Sequence, residues 1–301
     1  MLTALVPVFL IILLGYLFKR IGFPGTSFWG AAERITYFVF FPALLINKLA
    51  FATFSSATTL PLAASLVCSI LILSASLLIL RPHLGLAGPS FTSVFQGSIR
   101  FNTFVGLAAI SALLGSSGLT LAAVALVAMI PIINLICVPT VAHFGIGQGA
   151  SLVSLIREVL RNPLILACLI GFSINLSGLP TPEGLFRVFD LLGRAALPTG
   201  LLAVGAGLEL KSMNSNVRGL LISSTCKLIA FPLLTAVMCS LFNVSPEGRI
   251  VAVVFAALPT AVSAFILARQ LGGDTSLMAS IITIQTILSA LTLPLMLNLL
   301  T

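Results

Sequence analysis

The second half of the chain repeats the punctuation of the first at an offset of 156 residues. Pro7, Gly15, Gly22, Pro24 and Pro42 reappear without a gap as Pro163, Gly171, Gly178, Pro180 and Pro198, and Leu10, Leu45 and Ala50 as Leu166, Leu201 and Ala206. Glycine and proline fix backbone geometry, so matching them matches bends and turns. If each copy crosses a membrane an odd number of times, the second must be inverted. Inverted repeats place a binding site where the copies meet, near mid-membrane.

Composition requires the membrane. Hydrophobic residues make up 59% of the 301 and charged residues 7%, against about 25% charged in a soluble domain. Mean hydropathy is +1.21. The net charge of +8 comes from basic residues scattered singly, which argues against a nucleic-acid partner. Cys68, Cys137, Cys168, Cys226 and Cys239 fall in apolar stretches without CxxC or metal spacing and read as small core hydrophobes. Met1 to Phe18 is apolar and is followed, not preceded, by Lys19 and Arg20. That order suits a retained span with its N-terminus outside rather than a cleaved signal.

A membrane helix needs about 20 mostly apolar residues. The apolar runs give ten, roughly 2–18, 33–51, 60–80, 91–114, 119–142, 161–178, 185–208, 217–242, 250–268 and 276–300. Gly, Pro and charge mark the breaks, as at Gly22-Phe23-Pro24-Gly25, Gly115-Ser116-Ser117-Gly118 and Met213-Asn214-Ser215-Asn216. The expected fold is all-α and polytopic: two inverted five-helix repeats, residues 1–150 and 151–301, with broken crossing helices at spans 4 and 9. Ten spans put both termini on one side. The opposite side holds Lys19, Arg20, Arg34, Arg81, Arg157, Arg161, Lys211, Arg218 and Arg269, and the terminal side Lys48, Arg187, Arg194 and Arg249. The positive-inside rule then makes both termini non-cytoplasmic.

Span 4 contains Arg100-Phe101-Asn102-Thr103 and span 9 contains Leu258-Pro259-Thr260-Ala261-Val262-Ser263. At the repeat offset Asn102 aligns with Leu258 and Thr103 with Pro259. Asn102 lies about 16 Å into its span and Pro259 at nearly the same depth from the other face, both near the middle of a hydrocarbon core about 30 Å thick. Pro259 lacks an amide donor but suits the first residue of a helix, and Asn102 suits an N-cap. Both segments read as a half-helix that ends and another that begins, at Thr103 and at Pro259. Two such N-termini meeting make a site for an anion, and Arg100 adds a full charge. The structural alternatives are an interhelical hydrogen bond for Asn102 and a simple kink for Pro259. Arg100 could instead tie the broken backbone or face a water cavity.

Asn134 in span 5 and Gln285 in span 10 sit on matching helices and either line the cavity beside the crossing or bond to a neighbouring helix. Ser263 lies one turn after Pro259 and could equally bond its own backbone. The candidate substrate-binding set is Arg100, Asn102, Thr103, Pro259, Thr260, Ser263, Asn134 and Gln285. Asp190 and Arg194, at helical spacing, read as a structural ion pair. Lys227 reads as a snorkelling or a titratable lysine.

Phe41-Pro42-Ala43-Leu44-Leu45, Arg100-Phe101-Asn102-Thr103, Leu258-Pro259-Thr260-Ala261, Ala268-Arg269-Gln270 and Gly272-Gly273-Asp274, in this order and spacing, resemble the auxin efflux carrier family of membrane transporters in its shorter bacterial form. The resemblance implies a scaffold of spans 1, 2, 6 and 7, often paired into a homodimer, and a moving bundle of spans 3–5 and 8–10. It also implies elevator-type alternating access in a plasma membrane, the bacterial inner membrane. The cargo it implies is a small organic anion: auxin for plant members, malate or similar acids for some bacterial ones. The plant pattern has proline at both crossings where this chain has Asn102-Thr103 in span 4. The long cytoplasmic loop of many plant members is absent.

The chain is therefore expected to be a secondary carrier of a small organic anion such as a carboxylate, working in the lipid bilayer with no cofactor and no metal site. An enzyme needs clustered acids, bases or metal ligands. The histidines, His83 and His143, lie near span ends, and no Ser-His-Asp set or GxxxxGK[ST] loop stands out. A channel needs a more continuous polar lining. The competing readings are a non-transporting sensor and a sodium-coupled carrier of the bile-acid-transporter type. No Asp or Glu falls near the crossing, which counts against sodium coupling and leaves no obvious proton carrier.

Overall fold

The computed structural model describes residues 2–53, 55–146, 161–178, 181–209 and 216–301. Arg157, Pro180, Lys211, Met213-Asn214-Ser215 and most of the connection between the expected repeats lie outside the described residues. Within them every regular element is helical: α1 (Leu2–Arg20), α2 (Thr26–Ile35), α3 (Phe41–Ala50), α4 (Ser56–Leu84), α5 (Gly88–Ile99), α6 (Thr103–Phe144), α7 (Pro163–Ser177), α8 (Glu183–Ala206), α9 (Val217–Thr225), α10 (Phe231–Leu241), α11 (Pro246–Ala257), α12 (Ser263–Leu271) and α13 (Thr275–Leu300). Among the described residues seven stretches are long and apolar enough to cross a membrane: Thr3–Arg20, Ser27–Ala50, Ser56–Leu84, Gly88–Phe144, Glu183–Ala206, Val217–Leu241 and Thr275–Leu300. Large apolar side chains on their outer faces, such as Leu10, Ile79 and Leu291, are 57%, 74% and 78% exposed. That is the pattern of helices solvated by lipid.

A π-turn at Thr36–Phe40 joins α2 to α3, and another at Cys226–Ala230 joins α9 to α10. Each runs into a Phe-Pro pair, Phe41-Pro42 and Phe231-Pro232. Proline has no amide, and its ring crowds the carbonyl four residues back. The wider turn makes room for that ring, so both helices continue past their prolines.

α6 contains two passes. Gly115 (φ 61°, ψ −139°) takes a conformation that a side chain would disfavour. A straight helix from Thr103 to Asn134 would run about 46 Å. Yet Arg100 Nη2 donates to Asn134 Oδ1 at 2.8 Å, so the chain doubles back at Gly115.

The helices sort into two groups. α1 lies along α8, and α3 packs on α7 and α8. Gly15 abuts the Leu202 carbonyl and Gly205 the Ile12 carbonyl, with no room for a Cβ at either, so the α1 and α8 backbones meet directly. The second group is α4, α5, α6 and α9 to α13, with α4 on α6 and α10, and α11 on α6, α10 and α13. The stacked rings of Phe41 and Phe104, 4.8 Å between centroids, join α3 to α6 across the boundary.

Candidate functional site

α5 ends at Ile99, and Arg100 is extended (φ −70°, ψ 154°). α6 begins at Thr103, as expected from sequence, with Asn102 as its cap. Asn102 Oδ1 accepts from the amides of Phe104 at 3.0 Å and Val105 at 3.3 Å. On the other strand α11 ends at Ala257 and Leu258 is extended (ψ 149°), as a residue before proline prefers. Helix resumes at Ser263 rather than at Pro259, where sequence places it. The correction has a cause in the hydrogen bonds. The Pro259 carbonyl accepts from Asn102 N at 2.8 Å. Thr260 N donates to Gln285 Oε1 at 3.0 Å, and its hydroxyl lies 2.7 Å from the Gly97 carbonyl. Gln285 Nε2 donates to the same carbonyl at 2.9 Å and to Ser223 Oγ at 3.2 Å. These partners hold Pro259 and Thr260 out of a helical turn and tie the two breaks together.

A cavity of about 400 Å³ lies beside this crossing. Of the candidate residues Arg100, Asn102, Thr103, Asn134 and Ser263 line it. Pro259, Thr260 and Gln285 are buried and do not. Arg100 is 8% exposed. Its guanidinium bonds Asn134 and lies beside the Cys137 thiol, and its Nε has no partner among the described residues. The ion pairs among the described residues are Arg187–Glu183 and Arg194–Asp190, so no described carboxylate pairs directly with it.

The amides at the two breaks are unequally committed. At the start of α6, Asn102 N, Phe104 N, Val105 N and Gly106 N all have acceptors, which leaves Thr103 N. At the other break Thr260 N, Ala264 N and Phe265 N are bonded. No described acceptor takes the amides of Ala261, Val262 or Ser263, all three of which line the cavity. A buried guanidinium and unpaired amides on one cavity wall form an anion site in chemical terms.

Sequence reasoning missed Glu33, Arg34, Tyr37 and Asn162, which also line the cavity. The expectation that no acidic residue lies near the crossing is thereby corrected. The apolar run starts at residue 33, but the helix starts at Thr26, directly after Gly25 (φ 141°) turns the chain. Glu33 thus sits two turns into the helix instead of at its edge. Asn162 carried a signal, an Asn-Pro pair ahead of an apolar run. It caps α7 through Leu164 N at 3.0 Å and Ile165 N at 3.3 Å. Asp190 pairs with Arg194 at 2.7 Å, as expected, and also accepts from Asn47 at 3.4 Å. Lys227 is fully buried away from the cavity, its Nζ 4.6 Å from the centroid of the Phe231 ring, so it does not snorkel.

Residues 148–297 match the family described as membrane transport protein. Over 294 residues, 96% of this chain and 94% of the relative, the sequence is 28% identical to an "uncharacterized transporter" of Methanothermobacter thermautotrophicus. Over 189 residues, 58% of this chain and 59% of the relative, it is 29% identical to a "putative malonate transporter" of Rhizobium meliloti. These likenesses point to a transporter rather than an enzyme. With its apolar membrane-length helices, the chain is similar to the membrane transport protein family through its second half and to transporters named as such, in the direction of its resemblance to the auxin efflux carriers.

Proposed function

We propose that the protein is a secondary carrier of a small organic anion, a carboxylate, working by elevator-type alternating access. The observation that carries this reading is Arg100, a buried cation without a carboxylate partner among the described residues, on the wall of a cavity edged by amides that no described acceptor takes. Such a charge is costly to bury, and an anion in the cavity would complete it. The relative named for malonate transport supports a carboxylate cargo.

The finer architecture belongs to the same proposal. With α5 and the first arm of α6 taken as one broken crossing, and α11 and α12 as another, the chain makes ten spans in two inverted five-helix repeats, 1–150 and 151–301. The paired breaks support the repeats. The separation of α1–α3, α7 and α8 from the other helices supports a scaffold and a moving bundle. Both termini are non-cytoplasmic in a bacterial inner membrane, and the carrier is a homodimer. In that orientation the cavity, edged by α2 and the start of α7, faces the cytoplasm. Pro259, Thr260 and Gln285 hold the crossing in shape, while Arg100, Thr103 and Ser263 meet the cargo.

Purified protein in liposomes loaded with malonate at mildly acidic pH should take up labelled malonate by saturable counterflow, and Arg100→Ala protein of equal monodispersity should not. Wild-type rates in Arg100→Ala, or wild-type protein that exchanges no mono- or dicarboxylate, would remove the reading.

A further inference from the structure

Glu33 shares the cavity wall with Arg100, an odd place for a negative charge in an anion site. A carboxylate only accepts hydrogen bonds. It repels a second negative charge and holds a donor. Several described elements bring polar or charged groups to the cavity it shares. Its own helix and the following π-turn bring Arg34 and Tyr37 to the cavity, and the α5–α6 break brings Arg100. The returning arm of α6 brings neutral Asn134, the α11–α12 break brings Ser263, and the start of α7 brings Asn162, preceded by Arg161. α8, on which α2 packs, presents Ala203 and Val204 there. The nearest charged residue of α8, Arg194, is paired with Asp190 and lies about 13 Å away along the helix. No described lysine or arginine nitrogen comes within 4.0 Å of the half-buried Glu33 carboxylate. The cavity therefore has a cationic part and an anionic part that do not cancel each other by direct pairing.

From this placement we infer that Glu33 selects the chemical form of the cargo: an anion with one ionised carboxylate, taken by Arg100 and the free amides, and a hydrogen-bond donor at its other end, taken by Glu33. The inference rests on the carrier reading above. Half-protonated diacids and short hydroxy acids fit this description, and dianions do not. A half-protonated diacid brings its own proton on the un-ionised carboxyl, held as an O–H···O bond to Glu33. After release the proton leaves that carboxyl for water. One proton then crosses with each anion, with no change of protonation on any side chain.

Malonate and 3-hydroxypropionate differ at one end only, carboxylate against hydroxymethyl, and at about pH 7.5 malonate is a dianion. The test is counterflow of labelled 3-hydroxypropionate in liposomes at that pH, competed by either compound unlabelled. Wild-type protein should be inhibited by 3-hydroxypropionate at about one-tenth of the malonate concentration or less. Glu33→Gln removes the repulsion and should bring the two competitors within about threefold. Glu33→Asp should keep the wild-type order. A wild-type preference for malonate, an unchanged ratio in Glu33→Gln, or well-folded Glu33→Gln protein that moves neither probe overturns the assignment. Absence of counterflow of both probes in wild-type protein, at this and at mildly acidic pH, would strike the carrier reading instead.

Discussion

The amide of Asn102 donates to the carbonyl of Pro259 at 2.8 Å. This bond joins two helix breaks that stand 157 residues apart in the sequence, while the Asn102 side chain caps the helix that follows. Backbone groups released from a helix inside a bilayer must find partners within the protein. Here one break supplies the acceptor that the other lacks. The cap has a second consequence. It occupies two amides that an anion could otherwise take, so in the proposed carrier the negative end of a cargo would fall to Arg100, to Thr103 and to the opposite break.

Asn102→Asp separates the cap from the charge. Aspartate caps as well as asparagine, so the melting temperature in detergent should stay within a few degrees of wild type. It also places a negative charge beside the anion, which should cut malonate counterflow about tenfold or more. Asn102→Ala should instead lower stability by about 1 kcal/mol. If Asp and Ala lower the melting temperature alike, the side chain is not acting as a cap.

Arg100→Lys tests whether a positive charge alone suffices. Lysine keeps the charge but not the planar fork that reaches Asn134 at 2.8 Å. Losing charge-assisted hydrogen bonds worth about 1.5–3 kcal/mol should weaken anion binding by about 10- to 100-fold, read by calorimetry with malonate. Asn134→Leu, which removes only the orienting partner, should cost less. An undiminished affinity in Arg100→Lys would mean that the fork does not grip the cargo.

The parts of this site legible in sequence are those set by local chemistry. An asparagine after an extended arginine caps the next helix, and a residue before proline leaves the helical region, so the breaks at Arg100–Asn102 and from Leu258 onward were readable. The restart at Ser263 was not. It depends on Gln285 and Gly97, which reach Thr260 from distant points in the chain. Glu33 was hidden for another reason. Hydropathy starts a span where polar residues stop, whereas the helix starts where Gly25 turns the chain. The π-turns before Phe41-Pro42 and Phe231-Pro232 likewise look like ordinary proline kinks until the backbone is seen.

Gln285→Leu should loosen the crossing without touching the cavity. It would strand the buried Thr260 amide, which now donates at 3.0 Å, at a cost of about 1–3 kcal/mol. The expected result is a lower melting temperature, with anion affinity in the folded fraction close to wild type. Loss of affinity with an unchanged melting temperature would instead move Gln285 into the binding site.

The contact between α1 and α8 yields the last prediction. A Cβ on Gly205 would strike the Ile12 carbonyl, and one on Gly15 the Leu202 carbonyl. Both obstacles are backbone and cannot rotate away. Gly205→Ala and Gly15→Ala should each force the helices apart, with overpacking costs of about 1–3 kcal/mol, seen as reduced yield and a lower melting temperature. Gly30, in the middle of α2, meets nothing within 4 Å. Gly30→Ala should therefore hold or raise the melting temperature, since alanine favours helix over glycine by about 1 kcal/mol. If all three substitutions behaved alike, helix propensity and not close backbone approach would be setting the response. Gly15 and Gly171, which match at the 156-residue offset, would then have to be explained by something other than packing.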